Sequence, residues 1–452
     1  GGTDLNAGAK KYQQLNRATF VAEWAEVLAD LPANGDVVAW EALPKGKQHI
    51  LVIDHHLPLP DRDAGSLRMF NILDLLQRLG HQVTFLPDNL ANIPPYGDNL
   101  QKRGVQVVYH PHIKSIRGYL EKHGTKFDTV ILTRCDFARK HLSNVRHHAP
   151  QARVIFDTVD LHFLRQEREA ALAQDPVLKQ KAEEKKCDEF EVIEQSDETW
   201  VVSDFEQALL RSELPHSSIE VMSMIVDAPG STTPFSLRHD YLFIGSFQHA
   251  PNVDAVLFFT AEIYPIIAAR LPSAKFYIIG PKAPPAIIAL GNENIIVAGF
   301  QPDVQTYFDS VRLSIAPLRF GAGVKGKINQ SMGLGVPVVA TSLAVEGMSL
   351  TAGEEVLIAD DPETFAAALI GLYKTETLWQ RISDNALAKT RALYSETAAK
   401  ERLSHLFSQA HRDSFAQTLA SARLPYMASK GAHEASPNGL LEVKGPASQS
   451  SL

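Results

Sequence analysis

Apolar positions in this chain fall into two separate series of short strands alternating with helices. From Gln48 onward, strand-length apolar runs are expected at 49–54, 83–86, 105–109, 129–132, 154–156 and 199–202. Between the first two, 66–79 has helical spacing, with Leu67, Phe70, Leu73, Leu76 and Leu79 on one side. A long charged helix is expected over 167–195, and Ser203-Asp204 forms a helix start before 205–210. A second series follows at 241–244, 275–279, 294–297, 312–316, 336–340 and 355–358, with helices between, including 253–269 and 302–308. Strands alternating with helices imply parallel sheets wound on both faces, and ligands in such sheets gather at the carboxyl ends of the strands. The expected organisation is a helix and linker over 1–47, one Rossmann-like domain over 48–230 and a second over 231–394. The break between the two series lies between Val226 and His239. A helix returning to the first domain is expected over 395–424, and a disordered tail over 425–452, where large apolar residues thin out.

Composition narrows the function classes. The 452 residues are 45% hydrophobic and 21% charged, ordinary for a globular protein, with a formal net charge of −8. That balance argues against bulk nucleic-acid binding. Cys135 and Cys187 are too few for a disulfide scaffold and lack metal-ligand spacing, which fits a reducing cytoplasm. No apolar run approaches the ~18–20 residues of a membrane span. The chain opens Gly-Gly without a methionine, as an added expression scar or a piece of a longer polypeptide would.

The chemistry concentrates in IAPLRFGAGVKGKINQSMGLGVPVVAT, residues 315–341. A buried strand stops at Pro317, a loop Gly321-Ala322-Gly323 follows, and Lys325 and Lys327 bracket Gly326 before a short helix. Glycines let a backbone approach an anion, free N–H groups at a helix start point toward it, and lysines add full charge. An ordinary glycine-rich strand-to-helix turn fits the composition equally well. The stretch from Pro317 to Thr341 resembles the nucleotide-sugar-binding segment of family four glycosyltransferases, in a subgroup with a G-A-G-V-K-G-K-I loop. The resemblance implies the GT-B fold, α/β with two doubly wound Rossmann-like domains facing a cleft. It departs from the family at two places: Ala322 and Gln330 stand where two glutamates are usual. An amide at Gln330 can still hydrogen-bond ribose hydroxyls, whereas Ala322 offers the donor sugar no polar side chain.

The resemblance implies roles for particular residues. Lys327 would stabilise the leaving phosphate, with Lys325 and Arg319 nearby and the amides of Gly321, Ala322, Gly323 and Val324 cradling the donor. Gly245 and Ser246, in YLFIGSFQHAPNVD, would approach the phosphates, with Asn252 either touching them or capping a helix. Phe300 and Gln301 would hold the base, and Gly280-Pro281-Lys282 marks another strand end at the cleft. On the facing side Gly65 would approach the donor phosphate, and Asp160 and His162 would stand near the reacting sugar. Asp61-x-Asp63 has the spacing of a GT-A metal motif but precedes a helix in the first domain, so no metal is expected. The pairs His55-His56, His110/His112 and His147-His148 are read as loop and cap residues. The segment 16–30, NRATFVAEWAEVLAD, resembles the tail of family two GT-A domains, or is a simple packing helix. The expected protein is a cytoplasmic transferase, compatible with a peripheral place at the inner membrane face. It would move a sugar from a nucleotide diphosphate to a glycan or lipid-linked hydroxyl, with retention and without a metal cofactor, in bacterial surface polysaccharide or lipopolysaccharide assembly. A sugar-nucleotide epimerase or hydrolase, and a weakened domain that binds a sugar nucleotide or a partner transferase, are the alternative readings.

Overall fold

A computed structural model describes residues 9–25, 46–408 and 410–411. The proposed tail at 425–452 and most of the linker before Gln48 lie outside them. Thirteen strands, β1 to β13, form two sheets among the described residues. The first holds β1 (His49–Asp54), β2 (Gln82–Pro87), β3 (Gln106–Val107), β4 (Thr129–Thr133), β5 (Arg153–Asp157), β6 (Glu198–Val201) and β7 (Ile219–Val221). The second holds β8 (His239–Ile244), β9 (Phe276–Ile279), β10 (Ile295–Gly299), β11 (Val311–Ala316), β12 (Val338–Ala340) and β13 (Leu357–Ile358). Every ladder is parallel, for instance Ile50 against both Val83 and Thr129. Helices cover both faces, so the middles of β1 and β4 are apolar rather than alternating. Ile50, Leu51, Val52 and Ile53 are wholly buried, as are Val130, Ile131 and Leu132.

Strand order runs β3-β2-β1-β4-β5-β6-β7 in the first sheet and β10-β9-β8-β11-β12-β13 in the second. Order therefore reverses between β1 and β4, and again between β8 and β11. Connections leave these neighbouring strands toward opposite faces and open a crevice at their carboxyl ends. The loops flanking the two crevices are 55–63 and Arg134 in the first sheet, and 245–249 and 317–325 in the second.

Two sequence expectations change. The charged stretch is two helices, His162–Ala173 and Pro176–Gln195. Gln174 closes the first in the left-handed region (φ 50°), and Asp175 caps the second by accepting from the Val177 N–H at 2.8 Å, with Pro176 at its first position. The expected helix 253–269 runs Ala250–Phe258, a π-helical turn Phe259–Ile263, then Tyr264–Ala268. Upstream, Ala9–Glu23 is helical, and Phe20, Val21 and Trp24 are exposed.

The chain crosses between the domains twice. It leaves the first domain after β7, and it returns at Ser395, between the helices Glu376–Tyr394 and Glu396–Leu406. The Val226 N–H donates to the Tyr394 carbonyl at 2.9 Å, so the two crossings are bonded to each other. Arg391 adds bonds to the carbonyls of Ala228 and Pro229. The returning helix buries Ala399, Leu403 and Leu406 in the first domain's core, where Phe407 meets Trp200 edge-on. Among the described residues, no helix is long and apolar enough to cross a membrane.

Candidate functional site

The second-domain wall of the cleft is built from the two loops at the β8/β11 switch. After β11 the chain turns through Gly321 and Gly323 (φ 142° and 70°) into the helix Gly326–Gly333. Lys327, in the first turn, lays its ammonium 4.5 Å from the centre of the Phe243 ring and donates to Oδ1 of Asn252. Asn252 in turn donates to the Ser246 carbonyl at 2.7 Å. Its amide therefore joins the two loops, and it neither caps the helix nor stands free. A Cβ on Gly245 would lie 2.8 Å from the Asn252 Nδ2 and 3.2 Å from the Lys327 Cε, so only glycine lets this corner close. Burial pushes the Lys327 ammonium down to about 7, with Lys325 adding to the effect. Among the described residues no carboxylate forms an ion pair with Lys327. A desolvated cation without an acidic partner, at a sheet's switch point, is a site arranged for an anion.

The remaining candidates of this wall divide. Gln330 is half-buried one turn beyond Lys327, at the i,i+3 spacing that shares a helix face. Phe300 follows β10 and Lys282 follows β9. Both line an open crevice of about 780 Å³ with Gly280, Ala298 and Gly299. The Gln301 amide donates to the Ala298 carbonyl at 2.7 Å. Lys325 and Arg319 face elsewhere than the sequence reading assumed. The Lys325 ammonium turns back on its own loop, donating to the carbonyls of Ala322 (3.0 Å) and Gly323 (2.6 Å), and burial lowers it to about 8 against the pull of Glu206. Arg319 is paired with Asp254, Nε to Oδ2 at 2.9 Å, and lies over the Phe258 ring. Ala322 packs on an apolar cluster of the first domain, and Val324 on a smaller one with Met224, Val226 and Tyr394.

The first-domain wall is held from below. Arg68 and Asp157, neither exposed, pair at 2.7 Å, and Arg68 also donates to the Met222 carbonyl. Beyond Asp157 the loop hangs on two buried carboxylates. Glu206 accepts from the N–H groups of Val202 (3.1 Å) and Leu161 (3.4 Å). Glu189 accepts from those of His162 (3.0 Å) and Phe163 (2.8 Å), capping the helix His162–Ala173 from a neighbouring helix. Burial raises both carboxyls to about 7. Asp160 lies 3.3 Å from the His162 Nε2 and 2.6 Å from Arg165. Burial alone would raise its pKa, but His162, Arg165 and Arg134 outweigh it and keep the carboxylate charged. Gly65 sits in the angle between Arg134 and Val159, where an added Cβ would be 3.0 Å from each side chain. Both are non-glycine residues at positive φ (59° and 66°), strain of the kind that collects at functional sites. Asp63 is the N-cap of Ala64–Arg78, accepting from the Ser66 N–H at 2.8 Å, and Asp61 accepts from the Tyr96 hydroxyl. Among the described residues no cluster of three or more His, Cys, Asp or Glu is arranged to hold a metal.

Four residues outside the sequence-derived set also belong here. His249 lies within electrostatic reach of Arg165, Asp160, Asp63 and Lys327, joining both walls; burial in the cleft and then Arg165 lower its pKa. Arg134 follows β4 and donates from Nε to Asp54 at 3.3 Å. The Arg62 guanidinium stacks 3.9 Å over Phe300 from the opposite domain. Arg168 bonds the Gly321 carbonyl at 2.7 Å. His249 sits four residues past a strand-end glycine and Arg134 one past a strand, positions a sequence scan can flag. The cross-domain partners of Arg62 and Arg168 left no such mark.

Residues 238–375 match the model of a family described as glycosyl transferases group 1. An uncharacterised 44.6 kDa protein in the cps region of Klebsiella pneumoniae is 28% identical over 177 residues, 37% of this chain and 45% of that protein. The match thus takes in under half of that relative's length. Among solved structures, sucrose-phosphate synthase from Thermosynechococcus elongatus aligns with a TM-score of 0.61 at 14% identity, over 82% of this chain and 100% of that one. TarM aligns at 0.63 with 11% identity, over 80% and 98%. HepE from Anabaena, in complex with UDP and glucose, aligns at 0.58 with 13% identity, over 80% and 100%. The fold is GT-B, with two Rossmann-like domains facing a cleft.

Proposed function

We propose that the chain as a whole is a family four (group 1) glycosyltransferase that takes a sugar from a nucleoside diphosphate and places it on a hydroxyl of a glycan or lipid-linked acceptor. The observation that carries this reading is Lys327: a desolvated ammonium on a half-buried side chain at the β8/β11 switch, without a carboxylate partner among the described residues. The match of residues 238–375 to group 1 transferases supports the donor half. The cps-region relative supports a setting in polysaccharide assembly, with the protein working in the cytoplasm.

The donor diphosphate lies along Gly245, Ser246 and the Gly321–Lys327 loop. Its base lies toward Phe300, Gln301 and Lys282, and its ribose at Gln330. The sugar extends toward Gly65, Asp160 and His162. As the bond from the anomeric carbon to the phosphate oxygen breaks, its electron pair stays on the phosphate, and Lys327 stabilises that growing charge. The acceptor hydroxyl attacks from the same face, and its proton passes to the departing phosphate, giving retention without a metal. Asp160, kept charged by its cations, favours positive character at the anomeric carbon, and His162 hydrogen-bonds the sugar or the acceptor.

Incubation with a panel of nucleotide sugars, with and without oligosaccharide and lipid-linked acceptors, tests the reading. Acceptor-dependent release of nucleoside diphosphate is expected. Release without an acceptor points to a hydrolase, and an altered sugar still joined to its nucleotide points to an epimerase. Binding with no turnover identifies a domain that only holds the nucleotide.

A further inference from the structure

The glycine loop at the centre of the donor wall is held in shape by the opposite domain. We propose that Arg168, on the first-domain helix His162–Ala173, is a positioning residue that sets the conformation of residues 321–325 when the cleft is closed. The proposal rests on the transferase reading for its consequence, while the contacts that motivate it are independent of that reading.

Arg168 reaches across the cleft to two acceptors in the second domain. One N–H donates to the Gly321 carbonyl at 2.7 Å, and the guanidinium pairs with Glu346 at 2.8 Å. The Phe205 ring lies 5.8 Å from its centre. Three further loop residues meet the first domain. Ala322 packs on the cluster containing Leu161, Phe163 and Val201. Gly323 lies so close that a Cβ would stand 3.0 Å from the Asp160 Cβ and 3.6 Å from Val202. Lys325 is folded onto the loop carbonyls, with first-domain Glu206, Arg168 and Asp160 among the charges around it.

A loop with two glycines at positive φ has little intrinsic preference for one shape, and ordering it costs conformational entropy. Among the described residues the Gly321 carbonyl is bonded by Arg168 of the first domain, while Lys325 holds the next two carbonyls from within the loop. The docked face is also too crowded for a larger side chain at 323 and leaves 322 against apolar neighbours, which accounts for alanine there. When the domains part, the Arg168 bond and the packing of Ala322 and Gly323 are lost together while Lys325 keeps its loop bonds, and the loop amides lose the arrangement that a diphosphate needs. Donor affinity is thereby coupled to closure through one guanidinium.

Hydrogen exchange on the full chain tests this without donor or turnover. In Arg168→Ala the amides of Ile328 and Asn329, which donate to the Lys325 carbonyl where the loop enters its helix, are expected to exchange about tenfold faster, the effect of one lost charged hydrogen bond, while those of β11 keep the parent rate. Arg168→Lys, which can satisfy one acceptor but not both in a fork, should fall between. With UDP-glucose as the probe, Arg168→Ala should weaken binding by about tenfold and leave saturated turnover within about threefold. Unchanged exchange at Ile328 and Asn329 in Arg168→Ala overturns the proposal, and so does acceleration that extends equally to β11, which would mark a general stabilising role. Absence of transfer in the parent overturns the transferase reading alone, because the exchange result stands apart from it.

Discussion

Lys325 and Lys327 look equivalent in the sequence, yet the two ammonium groups do different things. Gly326 opens the helix between them, so the first folds back onto loop carbonyls and the second projects toward Asn252 and the cleft. If Lys327 meets charge that grows as the donor bond breaks, its loss should lower turnover more than donor affinity. Lys327→Met, which keeps the aliphatic stem over Phe243, is expected to reduce kcat by about 10²–10³ in a single-donor transfer assay. A variant that loses donor affinity alone would place catalysis elsewhere, around His162. The lowered pKa adds a pH test. Free Lys327 titrates near 7, and a bound diphosphate raises it, so above about pH 7 binding takes up a proton. A nucleotide sugar's own diphosphate does not titrate in this range. Affinity should therefore fall by up to about tenfold per pH unit between roughly pH 8 and 9, with uptake of about one proton in calorimetry across buffers of different ionisation enthalpy. Lys327→Met should flatten that slope, and affinity that rises with pH would contradict the assignment.

Helix starts decide the cleft at the next scale. His162 and Phe163 are held by Glu189, which supplies two acceptors to the first N–H groups of His162–Ala173 from a different helix. Glu189→Ala leaves those donors buried and unpaired, and is expected to cost about 2–4 kcal/mol in urea or thermal unfolding. Unaltered stability would mean that water replaces the cap. This arrangement was not legible in the sequence, where Glu189 is one acidic residue among many in a charged run. The break at Gln174 was legible in principle, because Asp175-Pro176 is a helix-start signal, but the continuous charge pattern on either side obscured it. The strands were plain for a physical reason: in a parallel sheet covered on both faces, runs such as ILVI and VIL are continuous in apolar residues. The glycine turn between β11 and its helix was readable because glycine and lysine spacing is local. Its partners Arg168, Asp160 and Val202 are remote in the chain, and no local pattern encodes such meetings.

At the scale of the whole molecule, the second domain is tied to the first by the linker and by the helix Glu396–Leu406. Leu403, wholly buried against the first-domain core, makes that helix part of a domain it does not follow in sequence. Leu403→Ala should lower stability by about 2–5 kcal/mol, read from the denaturant midpoint. A loss confined to the terminal helix, with the first-domain transition unmoved, would show the helix to be an appendage. The two chain crossings lie side by side, joined by the Val226–Tyr394 bond and braced by Arg391. A pair of fused strands resists twisting and sliding far more than it resists bending across their common line. The two halves are therefore expected to open like a book on its spine, with a single soft rotation that returns Arg168 and Gly321 to the same registration when the covers shut.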